Sequence, residues 1–120
     1  MKFNVNQQDL QQALSYCQGV IEKRSTLPIL SNVLLDASNS KLTITATDLD
    51  LIFIHKINNI EVLEEGKTTT TSSIMYDIVR KFSSGKKINL TLNDVNKLHL
   101  ESEKSNFNLN CISASEFPLT

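Results

Sequence analysis

Three glycines and two prolines in 120 residues leave no flexible linker and no low-complexity tract. Cysteine is equally sparse. Cys17 and Cys111 lie far apart and form no CxxC pair, so nothing reads as a thiol redox motif or a zinc site. They read instead as reduced, small core residues of a cytoplasmic protein. An excess of either charge is missing too. Twelve Lys+Arg against 13 Asp+Glu set the formal net charge at -1. Binding to phosphate would therefore come from a local patch, not from overall charge. No apolar run approaches the length of a membrane span. Residues 1–5 alternate like a strand and are too polar to open a signal peptide. A glycine-rich phosphate loop, HExxH and GxSxG are all absent.

What is present is a core-forming chain. Its 40% hydrophobic content over 120 residues fits one compact domain. Phe3 and Val5 share one face of a first strand. Asn6 is placed to cap a helix, and the charge of Asp9 suits that helix's first turn. Leu10, Ala13, Leu14, Cys17 and Ile21 follow at helical spacing, with Gln8, Gln11, Gln12, Ser15 and Gln18 opposite. Gly19 is placed near the stop. Pro28 disfavours helix at Leu27, so Arg24 falls in a loop before a strand over residues 32–37. Taken alone, Arg24 is a solvated side chain in that turn. Ser38-Asn39-Ser40 turns the chain. Leu42, Ile44 and Ala46 then alternate with Thr43, Thr45 and Thr47, as a half-buried strand requires. Asp48-Leu49-Asp50 interrupts before a strand over residues 51–57.

The second half repeats the order. A turn at Glu64-Glu65-Gly66 leads to a threonine-rich strand over residues 67–71. Ser72 or Ser73 is placed to cap a second helix. Ile74, Met75, Ile78, Val79 and Phe82 form its stripe, and Ser83-Ser84-Gly85 its stop. Strands over residues 88–92, 97–101 and 106–112 complete the chain. Strand, helix and three strands, twice over, predict an α+β domain: a pseudo-two-fold pair of βαβββ units, two helices packed on antiparallel sheets.

Few residues suggest chemistry. Asp48, Asp50 and His55 could approach a hard cation, but the spacing closes no ligand set and equally describes a turn followed by a strand histidine. His99, between Leu98 and Leu100, belongs on an outward strand face. No catalytic residue, metal ligand or cofactor is assigned.

Four segments together resemble one family. They are Met1-Lys2-Phe3, the run over residues 24–35 containing Leu27-Pro28-Ile29-Leu30, then Thr45-Ala46-Thr47-Asp48-Leu49, and Glu116-Phe117-Pro118. They are similar to the first domain of the bacterial DNA polymerase sliding clamp, the beta subunit of DNA polymerase III, collinearly over residues 1–120. The resemblance implies a DNA clamp fold and a non-catalytic cytoplasmic processivity factor without cofactors. Two three-domain chains would close head to tail around double-stranded DNA, helices lining the hole. This chain would be the N-terminal domain, the later clamp domains lying beyond it, and polymerase and clamp loader would bind those later domains. By the same matching, Arg24 and Arg80 are implied DNA contacts, with Lys23 and Lys81 beside them. Phe107, Leu109, Ile74, Ile78 and Lys104 are implied at the ring interface. By spacing alone Arg80 is a cation at a helix C-terminus, and Ile78 also falls on the core stripe. Ser73 and Ile74 stand where basic residues are frequent in the family, and the first helix offers glutamines rather than lysines, so the inner face should be less positive than usual. Asn106 stands at the implied interface where a basic residue is common. Two other readings use the residues differently: a non-catalytic protein-binding module acting through an exposed sheet edge, and a metal enzyme built on Asp48, Asp50 and His55.

Overall fold

A computed structural model describes residues 1–21 and 27–118. Among them the order is β1 (Lys2–Asn6), α1 (Gln7–Gln18), β2 (Asn32–Ser38), β3 (Lys41–Thr47), β4 (Ile52–Ile57), β5 (Glu61–Glu64), β6 (Gly66–Thr71), α2 (Ser72–Val79), β7 (Lys87–Leu92), β8 (Lys97–Ser102) and β9 (Ser105–Ile112). Short 3-10 turns occupy Pro28–Ser31 and Ala114–Glu116.

The strands join in the order β4-β3-β2-β6-β9-β8-β7-β1-β5, every pair antiparallel. The doubled plan is plain in that order. β1, α1, β2, β3 and β4 form one unit, and β6, α2, β7, β8 and β9 the other. Each unit lends its opening strand to its neighbour: β6 lies against β2, and β1 against β7. Within a unit the last three strands follow as tight hairpins. Asn39 (φ 52°) and Ser40 (φ 60°) make the two-residue β2–β3 turn in the left-handed conformation such hairpins favour. Asn93 Oδ1 accepts from the amides of Val95 and Lys97, both at 3.0 Å, and so shapes the β7–β8 turn.

The helices cover one face of the sheet. Leu10, Leu14 and Met75 pack there with Leu35, Ile44, Leu90, Leu98 and Leu100, all inaccessible to water. A pair of hydrogen bonds relates the helices. Gln7 opens α1 and donates from Nε2 to the Val79 carbonyl at the end of α2, at 2.9 Å. Ser72 opens α2 and donates from Oγ to Gln18 Oε1 at the end of α1, at 3.1 Å. Start meets end both ways, so the helices run antiparallel.

Several expectations are corrected. Strand β5 was not foreseen, because Glu61-Val62-Leu63-Glu64 carries no clean alternation. It pairs with β1, Val62 opposite Phe3, and Asn4 donates from Nδ2 to Glu61 Oε1 at 2.7 Å. Covered on both sides, β1 buries Asn4 along with Phe3 and Val5. Where β5 passes into β6, a Cβ on Gly66 would sit 2.8 Å from the Cβ of Met1, so only glycine fits. Neither Ser72 nor Ser73 is the cap of α2. Thr71 holds that position without a side-chain capping bond, its hydroxyl donating to Asn32 Oδ1 at 3.4 Å instead, and Ser72 is buried against α1. The helix stops at Val79, not near Gly85, and Phe82 reaches the core from beyond its end. Thr45 and Thr47 are buried although their face was expected to be wet. Thr45 lies between Leu34 and Ile54 on neighbouring strands, and Thr47 donates to the Leu51 carbonyl at 2.8 Å.

Candidate nucleic-acid interface

Between α1 and α2 runs an open groove of about 440 Å³. Helical spacing brings Gln8, Gln11, Gln12 and Ser15 to one wall, with Tyr76 and Arg80 on the other. Gln7 lies at its base, bonded through Nε2 to Gln11 Oε1 at 2.8 Å as well as to Val79. The wall from α1 is amide and hydroxyl throughout. Among the described residues, Arg80 is the only charged one lining the groove.

Arg80 is held twice. A guanidinium nitrogen donates to Asp77 Oδ1 at 2.6 Å, and the guanidinium carbon lies 4.6 Å from the centre of the Tyr76 ring. Arg80 sits at the C-cap of α2, where positive charge also suits the helix dipole. Lys81 follows it and is exposed. Lys23 and Arg24, the other two expected DNA contacts, lie outside the described residues. The i,i+3 spacing of Asp77 and Arg80 was visible in the sequence and could have pointed to their pair.

The expected ring-interface residues fall into two kinds. Leu109 and Ile78 are core residues, 6% and 8% exposed. Phe107 is half-buried, opposite Leu100 on β8, and meets the Phe82 ring edge-on at 5.6 Å. Ile74 is 49% exposed on the first turn of α2. Lys104 is exposed in the two-residue turn between β8 and β9. Strand β9 registers with β6 only at Cys111 and Ile112. There the hydroxyls of Thr69 and Thr70 add bonds to the Ile112 and Asn110 carbonyls, at 2.7 and 2.9 Å. Among the described residues, the outer margin of Ser105 to Leu109 has no ladder partner.

The remaining polar candidates are engaged in structure. Asp48 Oδ1 accepts from the amides of Asp50 at 3.0 Å and Leu51 at 2.7 Å, closing a turn with Leu49 at φ 83°. His55 packs with Tyr16 and Phe53, a cluster that sequence reasoning missed because it joins α1 to β4. His99 shares a hydrogen bond with Asn108 across the strands at 2.9 Å. Among the described residues no three His, Cys, Asp or Glu are grouped to hold a metal ion. No described helix is long and apolar enough to cross a membrane. Both cysteines are free. Burial pushes the Cys17 thiol up to about 12, and it raises Cys111 as well.

A doubled βαβββ domain whose paired helices share a polar, helix-lined face is thus defined. The sequence model for "DNA polymerase III beta subunit, N-terminal domain" matches residues 1–120, and the chain belongs to that family. It is 37% identical over 121 residues to the beta sliding clamp of Caulobacter vibrioides, covering 99% of this chain and 32% of that protein. The Escherichia coli K12 beta sliding clamp is 33% identical over 118 residues, again covering 32% of its length. Among solved structures, Caulobacter crescentus pol III beta superposes with a TM-score of 0.93 at 36% identity, covering all of this chain and 32% of that one. The Bartonella birtlesii sliding clamp, solved bound to griselimycin, reaches 0.95 at 33% identity with the same coverage. The chain therefore spans about a third of the length of the relatives it matches. The clamp fold expected from the sequence is the fold observed.

Proposed function

We propose that this domain works as the N-terminal third of a DNA replication processivity clamp. The clamp encircles duplex DNA as a head-to-tail ring of two chains and tethers the replicative polymerase, with no catalytic step of its own. The observation that carries this reading is the match of residues 1–120 to the beta-subunit family, joined to superposition on clamp structures at TM-scores of 0.93 and 0.95. A self-standing edge-binding module is not favoured beside it. Further domains would complete the ring and receive polymerase and clamp loader.

In this reading the α1–α2 face looks into the hole. Arg80 and Lys81, with Lys23 and Arg24, touch phosphates and hold the duplex without reading its sequence. Phe107, Ile74 and Lys104 form this domain's share of the ring interface, along the open margin of β9. Leu109 and Ile78 support it from beneath, since their own surfaces are committed to the core. The test is topological. Whole clamps carrying this domain, loaded on circular DNA, should stay bound through a high-salt wash and run off once the circle is cut. Release from the intact circle at the same rate would refute the reading.

A further inference from the structure

The single charge among the described residues that line the helical groove is already shared. Asp77 accepts from one nitrogen of the Arg80 fork at 2.6 Å while the guanidinium carbon lies 4.6 Å over the Tyr76 ring. Every other described lining residue is uncharged, so within the described lining the charge rests on this pair. Both partners are more than half-exposed or close to it, at 59% for Asp77 and 50% for Arg80. An exposed pair of this kind is weak and readily shared. A guanidinium carries five N–H donors, so a phosphate can dock on the unused ones without displacing Asp77.

We infer that Asp77 is a positioning residue that limits how strongly Arg80 holds DNA. It keeps the guanidinium flat over Tyr76, aimed into the groove, and offsets its charge. A duplex passing the neutral glutamine wall then meets a muted positive point, which favours sliding over arrest. This rests on the proposal that the helical face looks onto DNA.

The test uses the whole clamp and a short labelled duplex, with affinity measured by fluorescence anisotropy across a salt series. Asp77→Asn should bind about two- to fivefold more tightly at low salt, and its log–log salt slope should steepen by about one unit. Asp77→Glu should return both to the parent values. Asp9→Asn, an equal change of charge on the first turn of α1 away from Arg80, should shift both less. The gain from Asp77→Asn should vanish in an Arg80→Ala background. If Asp77→Asn leaves affinity and slope unchanged while Arg80→Ala weakens binding, the inference falls and the DNA-facing reading stands. An equal gain with and without Arg80 overturns it too, as a general charge effect. If Arg80→Ala and Asp77→Asn both leave binding untouched, the DNA-facing role of α2 falls with it.

Discussion

Tyr16 on α1 meets Phe53 on β4 edge-on at 6.2 Å, and Phe82 just past α2 meets Phe107 on β9 edge-on at 5.6 Å. The two contacts hold equivalent places, each tying the helical layer to the last strand of its own unit. Their surroundings differ. In the first unit His55 lies nearly parallel behind Phe53, and β4 is one of the two edge strands of the described sheet, with Ile52 and Ile54 exposed. In the second unit β9 runs on to meet β6, and hydroxyl bonds from threonines close that seam. The opening strands differ in the same way. Phe3 and Val5 of β1 correspond to Thr68 and Thr70 of β6, two residues that are also fully buried. The repeat is kept where a helix must cover a sheet. It lapses where a strand meets a different neighbour.

The comparison can be broken most forcefully in the core. Leu35 on β2 and Leu90 on β7 are equivalent and wholly buried. Each Leu→Ala change should cost about 2–5 kcal/mol in urea denaturation. One large loss beside one negligible loss would end the claim that both units share a single core. Next come the aromatic contacts. Phe53→Ala and Phe107→Ala should each destabilise by about 1–3 kcal/mol, for lost packing and the ring pair. Only Phe107→Ala should also shift the whole clamp from ring toward monomer in sedimentation at low concentration. A dimer undisturbed by it would remove Phe107 from the proposed interface.

The helix starts give a smaller contrast. Asn6 Oδ1 accepts from the Gln8 amide at 2.9 Å, whereas Thr71 makes no capping bond. Asn6→Ala should cost about 1 kcal/mol and Thr71→Ala clearly less, read from thermal melts. Equal losses would mean that the cap is not what separates the two helices. The smallest effect is expected at the groove. Arg80→Ala should weaken duplex binding by the whole clamp by about two- to fivefold and flatten the salt slope by about one unit. Gln12→Ala on the opposite wall should leave the slope alone, because an amide releases no counterion.

Much of this was legible in the chain because it is local. The stripe Leu10, Ala13, Leu14, Cys17 and Ile21 announced α1; the first four are buried on it, whereas Ile21 lies past its end at Gln18 and is only half-buried. Asn39 and Ser40 announced a hairpin, and both take the left-handed conformation it needs. At the candidate site, the glutamine wall of α1 and the place of Arg80 near the end of α2 could be read from spacing. The role of Tyr76 under Arg80 could not, nor could the packing of His55 on Tyr16, since each depends on which elements come together. The split of the interface candidates into exposed Ile74 and buried Leu109 also waited for the sheet.

Residue order by itself determined the doubled strand-helix-strand plan, the two apolar helix faces and the uncharged glutamine and serine wall that α1 lends the groove. Periodicity and side-chain chemistry act over a few neighbouring residues, and they need no partner to be recognised. Tertiary structure alone decided that β1 and β6 change places between the units. It also placed β5 over Asn4 and brought the start of each helix to the end of the other. Those choices follow from satisfying buried backbone and amide groups across long stretches of chain. Local pattern does not select one long-range strand partner over another. The fit of the whole sheet does.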